Sequence, residues 1–146
     1  VTGVQTCALP IFVLSPRLPD VLRDLVPPAV DAFLADCGLD RDAIAFWAVH
    51  PGGPRILEAL GEGLGLDDEA LAPVWRAWER HGNVVSATIF FILREIAESL
   101  ALPAGSIGLA LAVGPGLSLE LVLLRAGGWM SGDPIGAQRA PVAPGA

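Results

Sequence analysis

Residues 44–54 read IAFWAVHPGGP: six apolar residues in succession, then a histidine, then Pro51-Gly52-Gly53-Pro54. No helix crosses such a turn, because proline lacks the N–H and the two glycines favour other backbone conformations. A short apolar run without polar alternation suits a strand covered on both faces, as in a parallel or mixed sheet between helices. His50 is thereby delivered to the end of a buried strand. A new helix begins beyond the turn, with Pro54 in its first turn, where proline is tolerated.

The rest of the chain supplies the layers that such a strand needs. Val21, Leu22, Leu25, Val26, Val30, Phe33 and Leu34 recur at helical spacing between acidic and basic residues, which predicts an amphipathic helix over 19–38, kinked at Pro27-Pro28 and closed by Gly38. A short helix is expected over 54–60, ended by the glycines of 61–65. Asp67 or Asp68 caps a third helix with Leu71, Val74, Trp75 and Trp78 on one face. Gly82 ends that helix, and Asn83 is expected to cap a fourth over 84–100. Its first turns are apolar all round, which places Asn83 inside the molecule at the positive end of a helix dipole. Strands over 107–113 and 118–125 flank Gly114-Pro115-Gly116 and are expected to pair antiparallel. With a further short strand at 12–14, the order defines an α/β layered domain: a mixed sheet with helices on both faces.

A chain of 146 residues holds one domain with a core. Its apolar fraction of 53% against 17% charged residues requires a large buried sheet or a partner surface. The net charge is −7 and the nine basic residues are scattered, which removes the footprint of a nucleic-acid binder. Residues 99–119 carry no charge, yet Pro103, Gly105, Gly108 and Gly114-Pro115-Gly116 interrupt any spanning helix, so no membrane partner is expected. Cys7 and Cys37 have no metal-ligand spacing, no metal site is expected, and two cysteines make no disulfide framework. Cys37 is read as a small, partly buried apolar residue. No basic segment precedes the opening apolar residues, so a cytoplasmic protein is expected. Residues 1–11, VTGVQTCALPI, resemble a translated sequencing adapter and are set apart as non-native. Residues 12–126 form the domain, and 127–146, rich in Gly, Pro and Ala, a flexible tail.

His50 and Asn83 are neutral donors placed where elements end, a pairing that suits an oxyanion hole around a developing enolate or tetrahedral oxygen. Gly52 and Gly53 let a thin ligand arm pass close to the backbone. The stretches FWAVHPGGPRIL, HGNVVSATIFFILREI and GLALAVGPGLSLELVLLR together resemble the C-terminal half of a type III polyketide synthase of the chalcone and stilbene synthase family. The resemblance covers about 12–125, with the three motifs in the family's order and spacing. Ketoacyl-carrier-protein synthase III, a near relative, has Gln-Ala-Asn after the histidine, where this chain has Pro51-Gly52-Gly53-Pro54.

The resemblance implies a thiolase-like fold in which two similar halves form one catalytic unit and the whole is a homodimer. It also implies that His50 and Asn83 are two members of a Cys-His-Asn triad acting on acyl-CoA and malonyl-CoA, with no cofactor beyond these substrates. Gly52, Gly53 and Arg55 then fall on the coenzyme A side, with Arg55 in reach of a phosphate. Val85, Val113, Gly114, Pro115 and Gly116 shape the cavity. Val113 stands where an aromatic is common, and Val84-Val85 replace Met-Ser, so the product is left open. Neither cysteine fits the nucleophile, which the family carries in its N-terminal half, so the chain alone is expected to be inactive. Two other classes are weighed. One is a non-catalytic scaffold half-domain binding through an uncovered apolar face. The other is a serine hydrolase, since His-Pro-Gly-Gly is similar to a lipase oxyanion loop, but Ser86 lies in Val-Val-Ser-Ala-Thr rather than Gly-x-Ser-x-Gly.

Overall fold

The computed structural model describes residues 15–127. The adapter-like segment, the strand expected at 12–14 and the tail beyond Gly127 lie outside them. In order the chain forms α1 (Leu18–Asp36), β1 (Ile44–Val49), α2 (Pro54–Leu64), α3 (Asp68–His81), α4 (Thr88–Ser99), β2 (Ile107–Gly114) and β3 (Ser118–Arg125). The sheet order is β1-β2-β3. β1 runs parallel to β2, with Val49 beside Leu111, and β2 antiparallel to β3, with Leu111 beside Leu121. The parallel pair needs a long crossover, which α2, α3 and α4 provide, while the antiparallel pair closes through three residues.

Paired residues share a face of the sheet, so the rows Trp47-Leu109-Leu123 and Val49-Leu111-Leu121 form one side. Cys37 and Leu39, at the end of α1, meet this side beside Ile107 and Leu123. The other side carries Phe46, Gly108 and Leu124, met by Leu93 and Ile96 of α4. Helices therefore cover both faces, as the uninterrupted apolar run in β1 requires. On this second side the Phe46 ring lies across Gly108, where a Cβ would collide with ring atoms.

α1 buries a single stripe at four-residue spacing, Leu22, Val26, Val30 and Leu34. It ends in a Schellman cap. Gly38, at φ +70, donates its N–H to Ala35 O, and Leu39 N–H reaches Leu34 O at 2.9 Å. Arg41 then grips Asp31 through Nε and Nη2 at 2.6 and 2.8 Å, and its Nη1 donates to Leu64 O at the end of α2. This ties α1 and α2 together just ahead of β1. α1 runs unbroken through Pro27-Pro28. Pro27 has no N–H to give Arg23 O, and that carbonyl instead faces Gly63 of α2.

Three expectations are corrected. α2 does not stop at residue 60 but continues through Gly61 and Gly63 to Gly65, which takes φ +70. Gly63 sits where the backbone of α1 comes too close for a side chain, whereas Gly61 lies against the tip of the Leu71 side chain. Cys37 is exposed rather than partly buried, because it falls at the helix end beyond the buried stripe. The apolar start of the fourth helix is not buried either: Val85 is 74% and Phe90 71% exposed. α4 begins only at Thr88 and buries Thr88, Ile92, Glu95 and Ile96.

Candidate active site

His50 continues the ladder one residue past β1, donating its backbone N–H to Leu111 O at 2.7 Å. Its register sets it beside Ala112, which pairs with Glu120. Histidine, alanine and glutamate thus form one row across the three strands, and alanine in the middle leaves space above it. A cavity of about 340 Å³ occupies that space, bordered by His50, Ala112, Val113, Gly114, Glu120 and, from the opposite wall, Val85 and Ser86. Nδ1 of His50 is buried without a hydrogen-bond partner. Burial also pushes the imidazole pKa below its ordinary 6.5, because the charged form loses water. The ring is neutral at pH 7, an acceptor and a donor at once.

Asn83 stands on the link between α3 and α4, which is braced on both sides. Asp67 caps the start of α3 by accepting Ala70 N–H at 2.8 Å. Near the end of α3, Arg80 and Arg76 pair with Glu95 of α4, a carboxylate only 6% exposed. One residue further, the His81 ring stacks on Phe91 at 4.2 Å between centroids. Gly82, at φ +65, turns the chain out of α3.

Asn83 does not cap α4, contrary to the expectation from sequence, and it is exposed rather than buried. Its Oδ1 accepts Val85 N–H at 2.9 Å and the Thr88 hydroxyl at 3.3 Å, closing a local turn before α4 begins. Within that turn Val85 adopts φ +58, a left-handed conformation unusual for a β-branched residue. The turn presents Val85 and Ser86 to the His50 cavity, while Asn83 itself does not border it.

The remaining predicted residues divide between two places. Val113 and Gly114 border the His50 cavity, and Gly116, at φ +75, lets the β2–β3 connection close. Gly52, Gly53 and Arg55 line a separate cleft of about 350 Å³ against Ser15, Pro16 and Leu18. A Cβ on Gly53 would meet nothing within 4 Å, and one on Gly52 only Ile56 at 3.7 Å. Packing inside the chain therefore does not require either glycine. Sequence does not single out Glu120 or Thr88, and it offers Ser86 only as a hydrolase serine without its elbow motif. Glu120 would follow from strand alternation once the β2–β3 register is known. The other two depend on the turn at Asn83, which carries no periodic signal.

Among the described residues no group of His, Cys, Asp or Glu could hold a metal ion, and no helix is long and apolar enough to cross a membrane. The mixed sheet, covered on both faces and carrying a histidine at its strand end, is a thiolase-like arrangement. The chain belongs to the chalcone and stilbene synthase family, whose C-terminal domain it matches over residues 7–127. It is 41% identical over 113 residues to 1,3,6,8-tetrahydroxynaphthalene synthase of Streptomyces peucetius, which covers 77% of this chain and 30% of that protein. It is 38% identical to an alpha-pyrone synthesis polyketide synthase-like protein of Mycobacterium tuberculosis, over 75% and 28% of the two chains. Among solved structures, tetrahydroxynaphthalene synthase of Streptomyces coelicolor superposes with a TM-score of 0.72 at 30% identity, over 80% of this chain and 33% of that one. PKS-I of the brown alga Ectocarpus siliculosus gives 0.70 at 34% identity, over 78% and 32%. The chain thus spans about a third of the length of these relatives.

Proposed function

We propose that this chain is the C-terminal part of an acyltransferase that extends acyl-CoA starters with malonyl-CoA by decarboxylative Claisen condensation, making polyketides. His50 and Asn83 act as donors to the thioester oxygen of malonyl-CoA. When the C–CO₂ bond breaks, its electron pair forms an enolate whose oxygen takes both hydrogen bonds. The enolate carbon then attacks an acyl thioester held on a cysteine, forming the C–C bond and releasing the thiolate. That cysteine belongs to the N-terminal half of the complete enzyme, so the chain alone is inactive. Gly52, Gly53 and Arg55 serve the coenzyme A arm in their own cleft, and Val85, Val113 and the Gly114-Pro115-Gly116 turn shape the product cavity. The enzyme works as a homodimer in the cytoplasm, and its donors call on no resident cofactor or metal.

The observation that carries this reading is the state of Asn83. Two donors of the protein already occupy Oδ1, so the amide is held with Nδ2 as its outward group, a donor rather than an acceptor. The neutral His50 imidazole at the strand end supplies the second donor. The exposed Val85, in the Asn83 turn, and Phe90, in the first turn of α4, support a further protein layer closing over this region. In the complete enzyme, H50Q and N83A are each expected to lower malonyl-CoA decarboxylation about 100-fold or more. Near-normal decarboxylation in both variants would defeat the assignment.

A further inference from the structure

Thr88 is 1% exposed at the first position of α4. A hydroxyl so buried must direct its proton and lone pairs at neighbours. Oγ1 accepts Val84 N–H at 3.0 Å and lies 3.3 Å from Asn83 Oδ1. The amide donor uses a lone pair of Oγ1, and the hydroxyl proton goes to Asn83. With Val85 N–H at 2.9 Å, the amide oxygen then receives two donors. Rotating the amide by half a turn would set its NH₂ against the Val85 N–H and cost the hydroxyl its acceptor, so the orientation is defined by hydrogen bonds and not by shape alone. The hold matters here because Asn83 is exposed and the next turn passes through the unfavourable conformation of Val85.

We propose that Thr88 is the positioning residue for Asn83: its hydroxyl holds the amide oxygen so that Nδ2 points at the reacting thioester oxygen. This rests on the donor role proposed above for Asn83. Thr88 touches neither substrate nor reacting atoms and acts only by removing the amide's other orientations. Without the hydroxyl, Oδ1 keeps one donor, and the amide spends part of its time turned away from the substrate.

The test uses the complete enzyme and malonyl-CoA decarboxylation, with kcat normalised to folded protein. T88V keeps the volume and loses the hydroxyl, whereas T88S keeps the hydroxyl and loses a methyl. The T88V change is expected to lower kcat about tenfold, the worth of one oriented hydrogen bond, with KM for malonyl-CoA within about twofold. T88S is expected to recover most of the loss. A packing role predicts the reverse order, with valine above serine, and that order overturns the proposal, as does a T88V kcat within about twofold of wild type. If valine prevents folding, T88A against T88S makes the same comparison. An experimental structure of the wild-type enzyme with Thr88 Oγ1 and Asn83 Oδ1 beyond about 4 Å would overturn it independently of any variant. Loss of activity in N83A with none in T88V sinks only the role of Thr88. Activity retained in N83A sinks the donor role itself.

Discussion

Gly61 and Gly63 lie two residues apart in α2, so replacing either by alanine gives the same gain in helix propensity, roughly 0.5–1 kcal/mol. What differs is the neighbour. At Gly61 the new Cβ would fall 2.7 Å from Leu71 Cδ1, the tip of a side chain that can rotate aside. At Gly63 it would fall 2.5 Å from Arg23 O and 3.1 Å from Pro27 Cγ, and Arg23 O is helix backbone. Restoring ordinary contact there means moving α1 away from α2 along their shared seam, and overpacking of this kind costs about 1–3 kcal/mol. The propensity gain does not offset it. We therefore expect G61A to be close to neutral and G63A to be destabilised by about 1–2 kcal/mol, from the same two terms. Urea unfolding of the complete enzyme, followed by tryptophan fluorescence with the two variants side by side, reads the difference directly. Equal stability of G61A and G63A, or a stabilised G63A, would refute the claim that the freed carbonyl of α1 determines where α2 must have glycine.

The buried pair between α3 and α4 is asymmetric: Glu95 is 6% exposed, whereas Arg80 and Arg76 are 58% and 37% exposed. E95Q leaves arginines that can reach water and should cost about 1–2 kcal/mol, while R76M with R80M strands a buried carboxylate and should cost about 3 kcal/mol or more, measured by the same unfolding assay. Equal costs would contradict this. His50 gives a pH signature. Its pKa is lowered in the folded state by burial, so below the ordinary 6.5 the unfolded chain binds more protons and stability falls as pH drops from there toward the folded pKa. H50Q should remove that component, which sets in as pH falls through the ordinary histidine range. An unchanged pH dependence of the unfolding midpoint would show that His50 is not desolvated.

Much of the framework is present in local pattern, because local pattern is what makes it. The unbroken apolar run of β1 demands cover on two faces, the four-residue stripe of α1 demands one partner, and Asp67 caps the helix that follows it. The Gly-Pro-Gly turn forces the antiparallel hairpin. His50 follows from these, since a strand that ends at a Pro-Gly-Gly turn can hold its last side chain in only one place. The family is written in the same three motifs.

Tertiary structure alone decided the rest, where the outcome depends on which surfaces meet. Apolar periodicity marks a face as coverable but does not say by what, so the apolar start of the fourth helix predicts burial, yet Val85 and Phe90 stand exposed. Helix propensity sees a glycine only as a weakness and predicts that α2 ends at Gly61, whereas the helix runs on and Gly63 admits the backbone of α1. Spacing predicts a helix cap at Asn83 because it cannot show that a hydroxyl five residues on reaches the same oxygen. The row of His50, Ala112 and Glu120 exists only through strand register. Sequence determined which groups the chain carries to the ends of its elements. Packing, hydrogen-bond donors and register determined which way those groups point.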